Sequence, residues 1–211
     1  MRVLYIGIFA FLTIFSVFSL SEVYAAKIFD DDYIVEEFAV GLHYPTTMTF
    51  VDNDILVLEK TGNVIRIQEN GILYKESVLN LSVLEAIQQE VGLLGITSVS
   101  DHVYLFFTEK RHVECSYPDN LSSCMNVVYQ YDWNENKMIN PILIKEFPVT
   151  YGYHAGGVLT AGLNDEIYFV TGDQNQRTVY QNVADEGIFE NSSIFKIDTK
   201  SKNSVELLAM G

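Results

Sequence analysis

Gly157-Val158-Leu159-Thr160-Ala161-Gly162-Leu163-Asn164-Asp165-Glu166-Ile167-Tyr168-Phe169-Val170-Thr171 reads as strand, tight turn, strand. The flanking runs carry branched and aromatic side chains that favour extended backbone, and Asn164-Asp165 supplies the turn chemistry between them. The chain therefore reverses once, and the residues on either side of the hairpin return to one level. On one side stands Tyr153-His154-Ala155-Gly156-Gly157, on the other Gly172-Asp173-Gln174. A histidine on a glycine-flanked loop, with a carboxylate brought back beside it, is one way to build an oriented general base. Taken alone, an ordinary loop histidine and a turn aspartate account for the same residues.

The hairpin has two counterparts upstream. Thr47-Met48-Thr49-Phe50-Val51 and Ile55-Leu56-Val57-Leu58-Glu59 flank Asp52-Asn53-Asp54. Leu94 to Val99 and His102 to Thr108 flank Ser100-Asp101. Each of the three pairs is followed by a further strand: Asn63 to Ile67, Val127 to Tyr131, and Ser193 to Ile197. Helical periodicity is nearly missing; one turn of helix is expected from Ser82, with Glu85 in capping-box spacing, to about Gln89. A unit of roughly 45–60 residues, built of antiparallel strands and repeated, is the pattern of a β-propeller blade. Near-continuous apolar runs such as Ile55-Leu56-Val57-Leu58 fit sheets covered on both faces by neighbours. The expectation is an all-β chain holding about three blades. A ring needs four or more, so three alone would leave apolar faces and sheet edges uncovered.

Residues 1–25 read as a secretory signal peptide: Arg2, an apolar run from Val3 to Leu20, and small residues at Val23-Tyr24-Ala25. An apolar run of that length can also stay in a membrane as an anchor. Residues 26–35, with Asp30-Asp31-Asp32, read as an acidic linker, because the ligand spacing of a calcium loop is absent. Residues 36–211 form the domain. The chain carries a net charge of −15, and removal of residues 1–25 takes away Arg2 and Glu22 together, leaving it unchanged. Such a domain repels nucleic acid and anionic membranes. An exported location, extracellular or periplasm-like, also suits the two cysteines, Cys115 and Cys124, which are expected to pair as a disulfide. Two thiols, with His112 as the one nearby candidate, make a poor metal site. Asn80, Asn120 and Asn191 each head an Asn-x-Ser sequon, expected on surface loops.

Four motifs in order resemble the secreted quinoprotein sugar dehydrogenases, which use pyrroloquinoline quinone (PQQ) and include soluble glucose dehydrogenase, aldose sugar dehydrogenase and the glucose/sorbosone dehydrogenase domain. They are Gly41-Leu42-x-x-Pro45-Thr46-Thr47-Met48-Thr49-Phe50, Glu90-Val91-Gly92-Leu93-Leu94-Gly95-Ile96, Tyr153-His154-Ala155-Gly156-Gly157 and Thr171-Gly172-Asp173-Gln174. The resemblance implies a six-bladed propeller, of which this chain is the N-terminal half, with PQQ and calcium as cofactors and a sugar as substrate beside an electron acceptor. It implies that His154 takes the proton of the sugar's anomeric hydroxyl while hydride passes from C1 to the quinone. Asp173 then holds the imidazole, while Glu90 and Tyr153 touch the sugar.

Two departures bear on the pocket. Tyr153 stands where the best-known members carry Asp or Asn, and Val158 replaces a common basic residue. The family's later Arg-Asn segment is expected beyond Gly211, and with it the residues that hold the cofactor, so the chain alone is expected to be inactive. An extracellular propeller that only binds ligands is the alternative reading. A lactonase would need a carboxylate-ringed metal site that the sequence does not offer.

Overall fold

The computed structural model describes residues 32–174 and 190–210. Residues 1–31, read above as the signal peptide and most of the linker, lie outside them. Met1–Glu37 groups apart from Phe38–Gly211; of the former, 32–37 are turn and coil. Among the described residues no helix is long and apolar enough to cross a membrane.

Among the described residues twelve strands build three four-stranded antiparallel sheets, each a simple meander. Blade one holds β1 (Pro45–Val51), β2 (Asp54–Glu59), β3 (Asn63–Ile67) and β4 (Leu79–Asn80). Blade two holds β5 (Leu93–Val99), β6 (His102–Glu109), β7 (Met125–Asn134) and β8 (Lys137–Pro148). Blade three holds β9 (Gly156–Ala161), β10 (Ile167–Thr171), β11 (Ser193–Asp198) and β12 (Ser204–Met210). The first strands, β1, β5 and β9, are neighbours in that order, so three blades of a propeller stand side by side, as the repeat predicts.

Strand β6 shows why its run is apolar without a break. Side chains alternate across a sheet. Val103, Leu105 and Phe107 face blade one, packing in a core with Leu56, Leu58 and Val64. Tyr104 and Phe106 face blade three, in a core with Leu159, Phe169 and Phe195. Both faces are buried, so no polar face alternates with the apolar one. Burial also pushes the Tyr104 hydroxyl up to about 12; it bonds Gln130 and Asn203 at 3.2 and 3.0 Å. Near the first strands the blades touch backbone to backbone. A Cβ at Gly95 of β5 would lie 1.8 Å from the Gly157 carbonyl oxygen of β9, so only glycine permits that approach.

Three expectations change. The helix from Ser82 does not form. Instead Val83 bridges Glu109, the Leu84 N–H donates to the Thr108 carbonyl and the Lys110 N–H donates to the Ser82 carbonyl. These strand-like bonds to the end of β6 satisfy the backbone that a helix would have used internally; a turn follows at 87–90. Each blade also has a fourth strand that the repeat does not reveal. Finally, the Asn191 sequon is not on the surface: the residue is buried and its Oδ1 accepts from Gln174 Nε2 at 3.0 Å.

Candidate active site

The loops that enter β5 and β9, together with the ends of β2, β6, β8 and β10, lie at one end of the sheets. The β9–β10 register decides what meets there. Phe169 pairs with Leu159, a bulge intervenes, and Thr171 pairs with Gly156. Continuing that pairing brings the residues before Gly156 level with those after Thr171. His154 Nδ1 lies 2.7 Å from Asp173 Oδ1. Both side chains are partly open to solvent, at 52% and 39% exposure. The carboxylate can only accept, so the proton of a neutral imidazole sits on Nδ1 and the Nε2 lone pair is left for a substrate.

His154 itself adopts the left-handed backbone conformation, φ +52°, a conformation costing roughly 1–2 kcal/mol for a residue with a Cβ. Surrounding bonds hold it there. The His154 N–H donates to Glu90 Oε2 at 2.5 Å, and the His154 carbonyl accepts from the Gln174 N–H at 3.2 Å. Glu90 is anchored in turn by its own N–H, which donates to the Gly152 carbonyl at 2.9 Å. Thus Glu90, expected to meet a sugar, directs one carboxylate oxygen at the main chain of His154.

Lys60, just after the end of β2, supports the same loop: its ammonium donates to the carbonyls of Ile87, at 2.9 Å, and Gln89. Burial holds Lys60 below the ordinary lysine range, with the Glu90 carboxylate pulling the other way. Gln174 carries no site role in the sequence reading, yet it braces the Asp173 loop. Its Oε1 accepts from Thr150 N–H and Oγ1 at 2.6 and 3.0 Å, and its Nε2 donates to the Pro148 carbonyl and Asn191 Oδ1, both at 3.0 Å. The residue is almost fully buried, so every one of these bonds is costly to lose.

Tyr153 faces aromatic neighbours. Its ring lies 5.6 Å from that of Tyr151; desolvation, with the Tyr153 hydroxyl nearby, raises the Tyr117 hydroxyl above its ordinary range. Tyr117 reaches the site from the loop closed by the Cys115–Cys124 disulfide, whose sulfurs are 2.08 Å apart. Both cysteines are buried with Leu84, Val91 and Val149. The Tyr117 ring covers Gly152, where an added Cβ would lie 2.3 Å from its Cε2.

Among the described residues no group of three or more His, Cys, Asp or Glu could hold a metal ion. Three basic side chains near this end are engaged by the chain itself. Lys60 holds carbonyls, Arg111 pairs with Glu109 and Glu146 at 2.9 Å each, and Lys145 pairs with Glu190 at 2.7 Å. A quinone bearing several carboxylates needs cations around it, and Lys60, Arg111 and Lys145 are already committed to partners of their own.

Comparison with known proteins bears on the same segments. No curated protein matches the chain in sequence. Among solved structures, an oxidoreductase described as a glucose dehydrogenase from Thermus thermophilus is similar, with a TM-score of 0.61 and 23% identity over 76% of this chain and 45% of its own. The PQQ-bound aldose sugar dehydrogenase of Streptomyces coelicolor is similar at a TM-score of 0.58 and 18% identity, over 78% and 47%. These likenesses show a shared fold, and the chain spans a little under half the length of either structure. The glucose/sorbosone dehydrogenase family matches residues 42–197, from the segment before β1 through β11, and the chain belongs to that family.

Proposed function

We propose that this chain carries the proton-accepting part of a sugar dehydrogenase that oxidises aldoses at C1. The observation that carries the reading is the 2.7 Å contact between His154 Nδ1 and Asp173 Oδ1. It fixes the tautomer and favours the imidazolium that forms when Nε2 takes the proton of the anomeric hydroxyl. Glu90 and Gln174 hold the loop in place, and the partial exposure of His154 leaves room for a substrate. PQQ, by the resemblance, is the group that accepts hydride when bound. Lys60, Arg111 and Lys145 are engaged by other groups of the chain, so the groups that would hold it, and any calcium, are sought beyond these three side chains. In the same reading residues 1–25 direct export, and a soluble or membrane-bound acceptor reoxidises the enzyme outside the cytoplasm.

The test is product analysis. Full-length protein supplied with PQQ, calcium and a reducible dye should convert an aldose to its lactone. A sugar that binds and is recovered unchanged under those conditions would instead favour the ligand-binding reading, to which the engaged basic side chains lend weight.

A further inference from the structure

Lys60 stands at the end of β2 in blade one, Glu90 on the approach to β5 in blade two, and His154 on the approach to β9 in blade three. One side chain links the three. The Lys60 main chain is held on both sides: its N–H donates to the Tyr44 carbonyl and its carbonyl accepts from the Leu93 N–H, each at 3.0 Å. Gly92 keeps the path of the side chain clear. A Cβ there would lie 2.6 Å from the Lys60 carbonyl oxygen and 3.0 Å from the Lys60 Cγ. The ammonium then donates to the Ile87 carbonyl, at 2.9 Å, and to the Gln89 carbonyl.

Those carbonyls belong to a turn that packing does not hold. Ala86 and Val91 pack at its two ends, but Ile87 is 46% exposed, and Gln88 and Glu90 are exposed as well. Main-chain bonds supply part of the support: Gln89 N–H to the Ala86 carbonyl and Glu90 N–H to the Gly152 carbonyl, both at 2.9 Å. A hydrogen bond from a charged donor is roughly twice as strong as a neutral one, so the ammonium is the firmest tie. Burial disfavours its charge, and the Glu90 carboxylate favours it. That carboxylate in turn receives the His154 N–H at 2.5 Å. His154 depends on such support, because its φ of +52° persists only where the surroundings enforce it. We propose that Lys60 is a positioning residue for the candidate base: its ammonium fixes the turn at 87–90, the turn aims Glu90, and Glu90 holds His154 where Asp173 reaches its ring. The proposal rests on the reading of His154 as the base.

The experiment compares full-length wild type with three variants. Lys60→Met keeps the stem and removes the charge, Lys60→Arg keeps a charge, and Val64→Ala weakens the blade-one core as a control for lost stability. One measurement is kcat and KM for aldose-dependent dye reduction with PQQ and calcium. The other is the ring-nitrogen NMR shifts of His154, recorded without sugar or acceptor at a pH where the ring is neutral, and assigned by their loss in His154→Ala. Lys60→Met should lower kcat at least about fivefold with KM within about twofold. Its His154 shifts should move away from the Nδ1–H tautomer that Asp173 holds. Lys60→Arg should restore kcat to within about twofold of wild type, together with the shifts, and Val64→Ala should melt lower and change neither. Wild-type kcat and shifts in Lys60→Met would overturn the proposal. So would equal losses in Lys60→Met and Lys60→Arg, which would show that the charge does not matter, or equal losses in Val64→Ala. If wild type itself oxidises no aldose, the dehydrogenase reading fails, and the His154 shifts alone decide the role of Lys60.

Discussion

Gly172 lies directly against the carbonyl of His154: a Cβ added at Gly172 would sit 1.8 Å from that oxygen. The glycine of the Gly172-Asp173-Gln174 run is therefore what lets the carboxylate loop come close enough for Asp173 to reach the imidazole. Gly172→Ala must push the two loops apart. The expected result is a loss of about 1–3 kcal/mol, or a melting temperature lower by roughly 2–4 °C per kcal/mol, with sugar oxidation reduced at least tenfold. A variant that melts and turns over like wild type would show that the close approach does not matter.

Gln174→Leu removes a buried amide while leaving its partners behind. The Thr150 N–H and the Pro148 carbonyl would each lose a bond, at 2.6 and 3.0 Å respectively. Unsatisfied buried groups cost about 1–3 kcal/mol apiece, so chemical denaturation should show a loss of several kcal/mol. The Asp173 loop should become more sensitive to proteolysis.

Much of this fold is legible in the sequence because its inner strands state their environment twice. The apolar stretch Val103 to Phe107 is buried on both faces, and the Asn and Asp residues between hairpin strands mark the turns. The outer strands say less. In β8, Met138 and Phe147 are the fully buried side chains among twelve, so no alternation shows; β4 is two residues long. The Ser82–Gln89 segment carries a helix-start signal, but its backbone is claimed by the end of β6. At the site, the His154–Asp173 pair follows from the hairpin between them. Gln174 and Tyr117 do not, because their partners come from other blades or from the disulfide loop, which spacing along one strand cannot announce.

Reduction of Cys115–Cys124 should loosen Tyr117 and, through it, the Gly152–Tyr153 segment. In the loop-entropy account a bridge of nine-residue separation stabilises by about 2–3 kcal/mol. Melting with and without reductant measures it. A Cys115→Ser, Cys124→Ser double variant should match the reduced protein.

Phe169 and Phe195 stack at 4.9 Å in the core between blades two and three. Phe169→Ala should cost about 3–5 kcal/mol, and blade three should lose amide protection in hydrogen exchange before blade one does. Uniform loss across all three blades would contradict a core divided between neighbouring pairs.

The central claim is that His154 is the base and Asp173 its positioning partner. Its most direct measurement is the rate of aldose-dependent dye reduction by full-length protein supplied with PQQ and calcium, for wild type, His154→Ala and Asp173→Asn. General base catalysis contributes about 10²–10⁴-fold, so His154→Ala should fall by that factor and Asp173→Asn by a smaller one, both mainly in kcat. Turnover in His154→Ala at the wild-type rate would contradict the assignment.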